Sequence, residues 1–331
     1  MRKISKKLII GCGGWNYWQV DRAYSSTSDR LADYATVFNF VEVNNTYYQM
    51  PSLNDVKSWR CRVPKNFQFA VKCYKQITHN KPLLSIESNF QLMNKMEKIC
   101  VKLRAVGLVI QTPPKFNPTA ENLIIADEFF SHLDITGFDL IWEPRGDEWT
   151  VGPVKDKLKT ILRKNSVTHC TDISRTMPLH STSISYTRVF GKGQNNQWQF
   201  DDQEIRFLHE RVLELPKTTY MTFHTQRQTH DAARMKTFDE TGRLINTTGK
   251  YKINSIMVAI DEYQKYPIAK SELLSAHGWK LIDITKDKRI RAGEILNKLP
   301  SIEFKTKKEL KEHIKKLFRG NGQKKLDELF S

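Results

Sequence analysis

Apolar, strand-like runs in this chain repeatedly stop on a polar residue. Leu8-Ile9-Ile10 passes into Gly11-Cys12-Gly13-Gly14-Trp15, and Phe40-Val41-Glu42-Val43 into Asn44-Asn45-Thr46. Phe69-Ala70-Val71 ends in Lys72, Leu108-Val109-Ile110 in Gln111, and Leu140-Ile141-Trp142 in Glu143. A strand buried on both faces reads as such a continuous apolar run. Parallel α/β folds gather ligands where those strands end. The pattern therefore predicts one site assembled from many separate pieces of chain.

Eight such runs lie at about 8–11, 40–44, 67–72, 106–111, 138–143, 167–171, 183–190 and 219–224. Between them, segments 31–38, 55–60, 90–103, 120–130, 154–163 and 202–213 are candidates for helices. In the third of these, Leu92, Met96, Ile99 and Leu103 keep the three- and four-residue spacing of a helix stripe. Strand–helix alternation carried through eight repeats favours an α/β fold of the closed, TIM-like (β/α)8 kind over an open sheet. Ile253, Ile256, Met257 and Ile260 form an amphipathic stripe expected to close that barrel, which is assigned residues 1–265. Residues 266–331 read as a small basic α+β module: a strand over 278–284, a short helix over 291–299, and a helix opened by a Thr306–Glu309 capping box. Leu310, Ile314 and Leu317 line one face of that last helix, and Lys307, Lys308, Lys311 and Lys315 the other, with Lys286, Lys288, Arg289 and Arg291 nearby.

Charge narrows the partners. Lys and Arg number 53 against 36 Asp and Glu, a formal net charge of +17 over 331 residues. Such a balance favours nucleic acid, an anionic membrane or a phosphorylated substrate, although a basic proteome produces it too. Five cysteines without a CxxC pair argue against a disulfide framework or zinc ribbon, and for a reducing compartment. The basic N-terminus leads into too short an apolar stretch for a signal peptide, and no run reaches the roughly 18 apolar residues that span a bilayer. A soluble, cytoplasmic protein without a membrane partner is expected.

Several familiar chemistries are excluded by motif. Gly11-Cys12-Gly13-Gly14 follows a strand, but Asn16 stands where a dinucleotide fingerprint needs its third glycine, so no nucleotide cofactor is expected. Gly-x-Ser-x-Gly, His-Glu-x-x-His and a Walker loop are all missing. The dispersed strand-end residues remain. Glu42, Glu143, Asp172 and His224 can hold a divalent cation such as Mg, Mn or Zn, or divide general acid and base work between them. Lys72, Arg145 and Arg188 are cations suited to a phosphate or a developing negative charge. His79 lies just beyond Lys72. Trp15 and Tyr17 offer rings for stacking on a base or sugar, and Asn44, Tyr48 and Gln111 complete the expected binding set. The competing reading is a network of mutually paired charges that holds the barrel mouth together.

At this point the motifs match a known pattern. Gly11-Cys12-Gly13-Gly14-Trp15-Asn16-Tyr17 resembles the Gly-x-Ser-Gly-Trp-x-Tyr opening of the YecE-like family, a group of barrels named as a domain of unknown function. Val41-Glu42-Val43-Asn44-Asn45-Thr46-Tyr47-Tyr48-Gln49-Met50-Pro51 is similar to its Val-Glu-x-Asn-x-Thr-Phe-Tyr-x-x-Pro. Phe69-Ala70-Val71-Lys72, Ile77-Thr78-His79, Gln111-Thr112-Pro113-Pro114-Lys115-Phe116, Glu143-Pro144-Arg145, Asp172 and Tyr186-Thr187-Arg188 also fit. The resemblance covers about residues 8–235 and implies a TIM-like barrel without a settled reaction. Three positions depart from it: Gly13 replaces the usual serine, Phe190 stands where His often precedes glycine, and Phe223-His224-Thr225 replaces Phe-Asn-Asn. A histidine at 224 adds a base or a metal ligand, or marks a different substrate.

Charge, mouth aromatics and the strand-end cluster together lead to a nucleic-acid-directed hydrolase, a phosphodiesterase or endonuclease of DNA repair or RNA processing. One alternative is an enzyme for a sugar or phosphorylated metabolite, which predicts a narrow pocket at the mouth. The other is a non-catalytic binder of DNA or RNA that uses the basic tail.

Overall fold

All eight apolar runs form strands. The computed structural model describes residues 7–15, 29–261 and 264–319. The strands are β1 (Leu8–Cys12), β2 (Phe40–Val43), β3 (Gln68–Lys72), β4 (Gly107–Thr112), β5 (Asp139–Pro144), β6 (Val167–His169), β7 (Ile184–Val189) and β8 (Thr218–Phe223). They pair in parallel as two ladders, β2-β3-β4-β5-β6 and β7-β8-β1. At one seam a bridge between Thr171 and Thr187 joins the ladders, and the Arg188 N–H donates to the Thr171 carbonyl at 3.2 Å. At the other, between β1 and β2, a tyrosine hydroxyl does the bonding: Tyr34 accepts from the Cys12 N–H at 3.0 Å and donates to the Phe40 carbonyl at 2.8 Å. Gly11 makes that approach possible, because a Cβ there would stand 2.3 Å from the Phe40 carbonyl oxygen.

Helices α1 (Arg30–Ala35), α2 (Asn45–Tyr48), α3 (Leu53–Cys61), α4 (Glu87–Leu103), α5 (Ala120–Ser131), α6 (Gly152–Lys164), α7 (Asp202–Glu214) and α8 (Gln228–Thr241) belong to the barrel. Local sequence marks their ends. Ser52 and Asp55 form a reciprocal capping box on α3, as do Asp201 and Glu204 on α7. Arg104 stops α4 in the left-handed region. In α4, Met96, Ile99 and Leu103 are buried, as their spacing predicts.

Two sequence expectations are corrected. The strand–helix alternation fails once, since residues 170–183 join β6 to β7 without a helix. That segment carries Pro178 and no apolar stripe, and Asp172 and His169 fix its backbone instead: the Ser174 N–H donates to Asp172 Oδ1 and the Leu179 N–H to His169 Nδ1. The helix expected to close the barrel, α9 (Ile253–Asp261), does not; α8 packs on β1 and β8 in that place. The α9 residues Ile256, Met257 and Ile260 join Ile268, Leu273, Ile282 and Leu296 in a second apolar cluster.

That cluster is enclosed by β9 (Ile268–Ala269), α10 (Lys270–His277), β10 (Leu281–Asp283), β11 (Arg289–Arg291), α11 (Ala292–Leu296), β12 (Glu303–Phe304) and α12 (Lys307–Arg319). β9 pairs with β12 and β10 with β11, both antiparallel. Arg289 and Arg291, read from sequence as part of a basic face, join this unit to α7. Arg289 Nη1 donates to Asp202 Oδ2 at 2.6 Å, and Arg291 stands 3.4 Å from Glu204 while stacking on Trp198 at 4.2 Å. Among the described residues no helix is long and apolar enough to cross a membrane.

The barrel interior is a layer of apolar side chains: Ile9, Phe40, Ala70, Val109, Ile141, Cys170, Ile184, Tyr186 and Tyr220. Tyr34→Phe tests how the barrel closes above it. Losing the hydroxyl strands one buried N–H and one buried carbonyl, at about 1–3 kcal/mol each. Unfolding free energy is expected to fall by roughly 2–4 kcal/mol, seen as a lower denaturation midpoint at unchanged m-value. A loss below about 0.5 kcal/mol would show that the seam closes without it.

Candidate active site at the barrel mouth

Side chains on a strand alternate between faces, so the residue two beyond an inward-facing one also points inward. Two positions past Phe40, Ala70, Val109, Ile141 and Tyr186 come Glu42, Lys72, Gln111, Glu143 and Arg188. The polar strand ends are therefore the next interior layer, stacked above an apolar one at the C-terminal face where barrels place their chemistry.

Arg188 is the hub of that layer. Its Nε and Nη2 donate to the two oxygens of Glu42 at 3.1 and 3.0 Å, and its Nη1 donates to Glu143 Oε2. Glu42 also accepts from the Tyr186 hydroxyl at 2.9 Å, and Glu143 from Gln111 Nε2 at 3.0 Å and Arg145 Nε at 3.1 Å. Burial alone would raise both carboxyls. The Arg188 guanidinium overrides it, holding Glu42 well below the usual carboxylate range and bringing Glu143 to about 2. Both are anions, and both are saturated with donors.

The remaining groups face a pocket of about 640 Å³ lined by Gly13, Asn44, Tyr48, Lys72, Arg145 and His224, among others. The Lys72 backbone is fixed by the Thr46 hydroxyl, which donates to its carbonyl at 2.6 Å, and its amine lies 4.3 Å from the centre of the Tyr47 ring. Burial, then repulsion from Arg188, lowers this amine to about 7 against the pull of Glu42 and Glu143. Burial and the same guanidinium push His224 down to about 4, so its ring is neutral at pH 7. Arg188 can only donate, so His224 Nε2, 3.2 Å from Arg188 Nε and 3.0 Å from Thr222 Oγ1, is the acceptor and Nδ1 carries the proton. The ring stacks on Phe190 at 4.9 Å. A Cβ at Gly13 would come within 2.3 Å of its Nδ1.

The expected metal set does not assemble. Arg188 stands between Glu42 and Glu143, and it also occupies His224 Nε2. Asp172 uses its oxygens on the backbone N–H groups of Ser174 and Phe190, at 2.9 and 3.0 Å. Among the described residues no three His, Cys, Asp or Glu side chains converge as ligands. The Arg188 guanidinium lies between the two carboxylates, and Asp172 ties the Ser174 and Phe190 backbones together while lining a neighbouring cleft with Glu143 and Arg145.

Other expected site residues divide. Lys72, Arg145, Arg188, His224, Asn44, Tyr48 and Gln111 all line the pocket, Tyr48 at its rim with 67% of its surface exposed. Trp15 does not; it is buried and meets Trp59 edge-on at 5.6 Å, a core residue. Tyr17 lies outside the described residues. His79 bonds through Nδ1 to the Thr78 hydroxyl at 2.9 Å and packs on Tyr47. Sequence reading missed Tyr186, Thr222 and Gln228, the last accepting the Gly13 N–H at 3.0 Å. The first two sit two positions before Arg188 and His224, so strand alternation alone could have found them.

Arg188→Met is expected to destabilise the fold by about 3–5 kcal/mol, because it leaves two buried carboxylates without their cation. Both carboxyls then titrate upward, so the deficit relative to wild type grows as pH rises from about 4 to 8, because the wild-type carboxylates are already ionised below that range. Chemical denaturation across that range would measure it. A uniform deficit at every pH would show that the cation does not hold the carboxylates ionised.

Comparison with known proteins places this geometry. A solved DUF72 family protein from Enterococcus faecalis V583 is 18% identical, with a TM-score of 0.56 over 71% of this chain and 98% of its own. Another from Thermotoga maritima MSB8 is 19% identical, with a TM-score of 0.57 over 71% and 99%. These likenesses establish the shared barrel fold. No curated protein matches the chain. The family model described as "Protein of unknown function DUF72" matches residues 9–248, from the first strand to beyond α8. The chain, its YecE-like motifs included, belongs to the DUF72 family.

Proposed function

We propose that the barrel mouth is the active site of an enzyme acting on a phosphate-bearing sugar unit, with Lys72 as its reactive amine. One observation carries this reading: a lysine amine near neutrality and a guanidinium fork open to the same pocket. Arg145 spends Nε on Glu143, yet its two Nη groups make no hydrogen bond among the described residues, and its side chain is 39% exposed. Such a fork matches two phosphate oxygens. The Asn44, Asn195, Asn196 and Gln226 side chains around it suit sugar hydroxyls. A pocket of about 640 Å³ is sized for one such unit.

A second reading, the nucleic-acid-directed hydrolase, draws support from the net charge of +17. On that reading the sugar phosphate is one nucleotide turned out of a strand. Lys308 and Lys316 of α12 are exposed, while Lys311 and Lys315 are half-buried and Lys315 pairs with Glu312 at 2.5 Å.

Calorimetric titration separates these claims. Wild type is expected to bind ribose 5-phosphate more tightly than ribose, and Arg145→Met to lose about tenfold or more of that affinity. Equal binding of the two sugars would sink the phosphate reading. A steep fall of oligonucleotide affinity with salt, softened by Lys308→Glu with Lys316→Glu, would favour the second reading.

A further inference from the structure

Lys72 differs from the other cations of the mouth. Arg188 and Arg145 each touch a carboxylate. The Lys72 amine forms no salt bridge or hydrogen bond among the described residues, and its one close partner is the face of Tyr47. It projects from a rigid strand end, with its carbonyl held by Thr46, into open pocket volume. Burial and the neighbouring guanidinium groups of Arg188 and Arg145 favour the free amine, which reaches neutrality at about 7. An amine that is desolvated beside other cations is an activated nucleophile. For proton transfer alone a carboxylate or imidazole would serve; what lysine adds is the ability to bond to carbon.

Building on the phosphate-sugar reading, we propose that Lys72 forms an imine with the aldehyde or ketone carbon of a sugar whose phosphate rests on Arg145. The Nζ lone pair adds to the carbonyl carbon as the C=O π bond breaks. The oxygen gains a proton and the nitrogen loses one, giving a carbinolamine. The C–O bond then breaks, its oxygen takes a further proton and leaves as water, and the nitrogen lone pair closes the C=N bond. In sum, amine, carbonyl and one proton give an iminium ion and one water, with no oxidant or reductant. The iminium draws electrons from a bond at the adjacent carbon, so the reaction class is a carbon–carbon or carbon–oxygen lyase. His224 lines the same pocket and, with Nε2 engaged by Arg188, has its Nδ1–H available to hydrogen-bond the departing oxygen. A free aldose phosphate and the ring-opened sugar of an abasic site in DNA both present this carbonyl.

Reductive trapping tests the proposal. The full chain is incubated with sodium cyanoborohydride and either ribose 5-phosphate or an oligonucleotide carrying an abasic site, and adducts are mapped by peptide mass spectrometry. At pH 7 the expected product is a secondary amine on Lys72, formed at least about tenfold faster than on any surface lysine. Its rate should rise through pH 7 and level off above it. The product should vanish in Lys72→Met, with folding of that variant checked by its melting and its retained phosphate binding. The faster arm identifies the source of the carbonyl. No adduct in either arm, or adducts spread over surface lysines with a rate still climbing toward pH 10, overturns the imine. That failure is distinguishable from failure of the underlying reading, because phosphate binding through Arg145 would persist in the first case and be missing in the second.

Discussion

A single guanidinium holds the mouth of this barrel in shape. Arg188 reaches from β7 to carboxylates on β2 and β5, strands that share no ladder edge with it. Two buried anions and one buried cation are costly to desolvate, and such a set is tolerable only when its hydrogen bonds are nearly complete. Here they are, through Tyr186, Gln111 and Arg145. The electrostatics of the pocket follow from this arrangement. Burial, reinforced by the Arg188 guanidinium, depresses Lys72 and keeps His224 neutral. What faces a ligand is thus an amine, a neutral imidazole and the free fork of Arg145.

The amino-acid sequence made the location of this site legible and concealed its wiring. Apolar runs ending in Glu42, Lys72, Gln111 and Glu143 sufficed to place those residues in one layer, because strand direction and alternation are local properties. Which groups pair is not local. A carboxylate at a strand end reads equally as a metal ligand or an ion-pair partner, and only the reach of Arg188 across the barrel decides between them. Trp15 misled for a related reason: a ring beside glycines in a mouth loop offers no sign that Trp59 of α3 will cover it. The missing helix between β6 and β7 was a matter of overextending a rhythm. Segment 170–183 never carried an apolar stripe, and seven good repeats concealed that.

Composition proved a coarse guide to surface. The basic tail looked like one exposed face, but Arg289 and Arg291 are spent on Asp202 and Glu204 of α7, and Lys280 is buried with its amine on the Ala259 carbonyl at 2.8 Å. These three cations are therefore structural, two of them joining a small apolar cluster to the barrel wall. The α9 stripe shows the same ambiguity from the apolar side. Its periodicity fixed a buried helix face without saying which of two cores would receive it.

Gly13 and His224 also bear on how this chain can differ from its relatives. The imidazole fills the volume that any side chain at position 13 would enter, and Phe190 stacks on it. The three departures from the YecE-like pattern are thus a single packed unit and not three independent changes. A side chain at 13 and the imidazole at 224 cannot both keep this arrangement, so replacing Gly13 forces the ring at the pocket wall to move and reshapes the surface a ligand would meet.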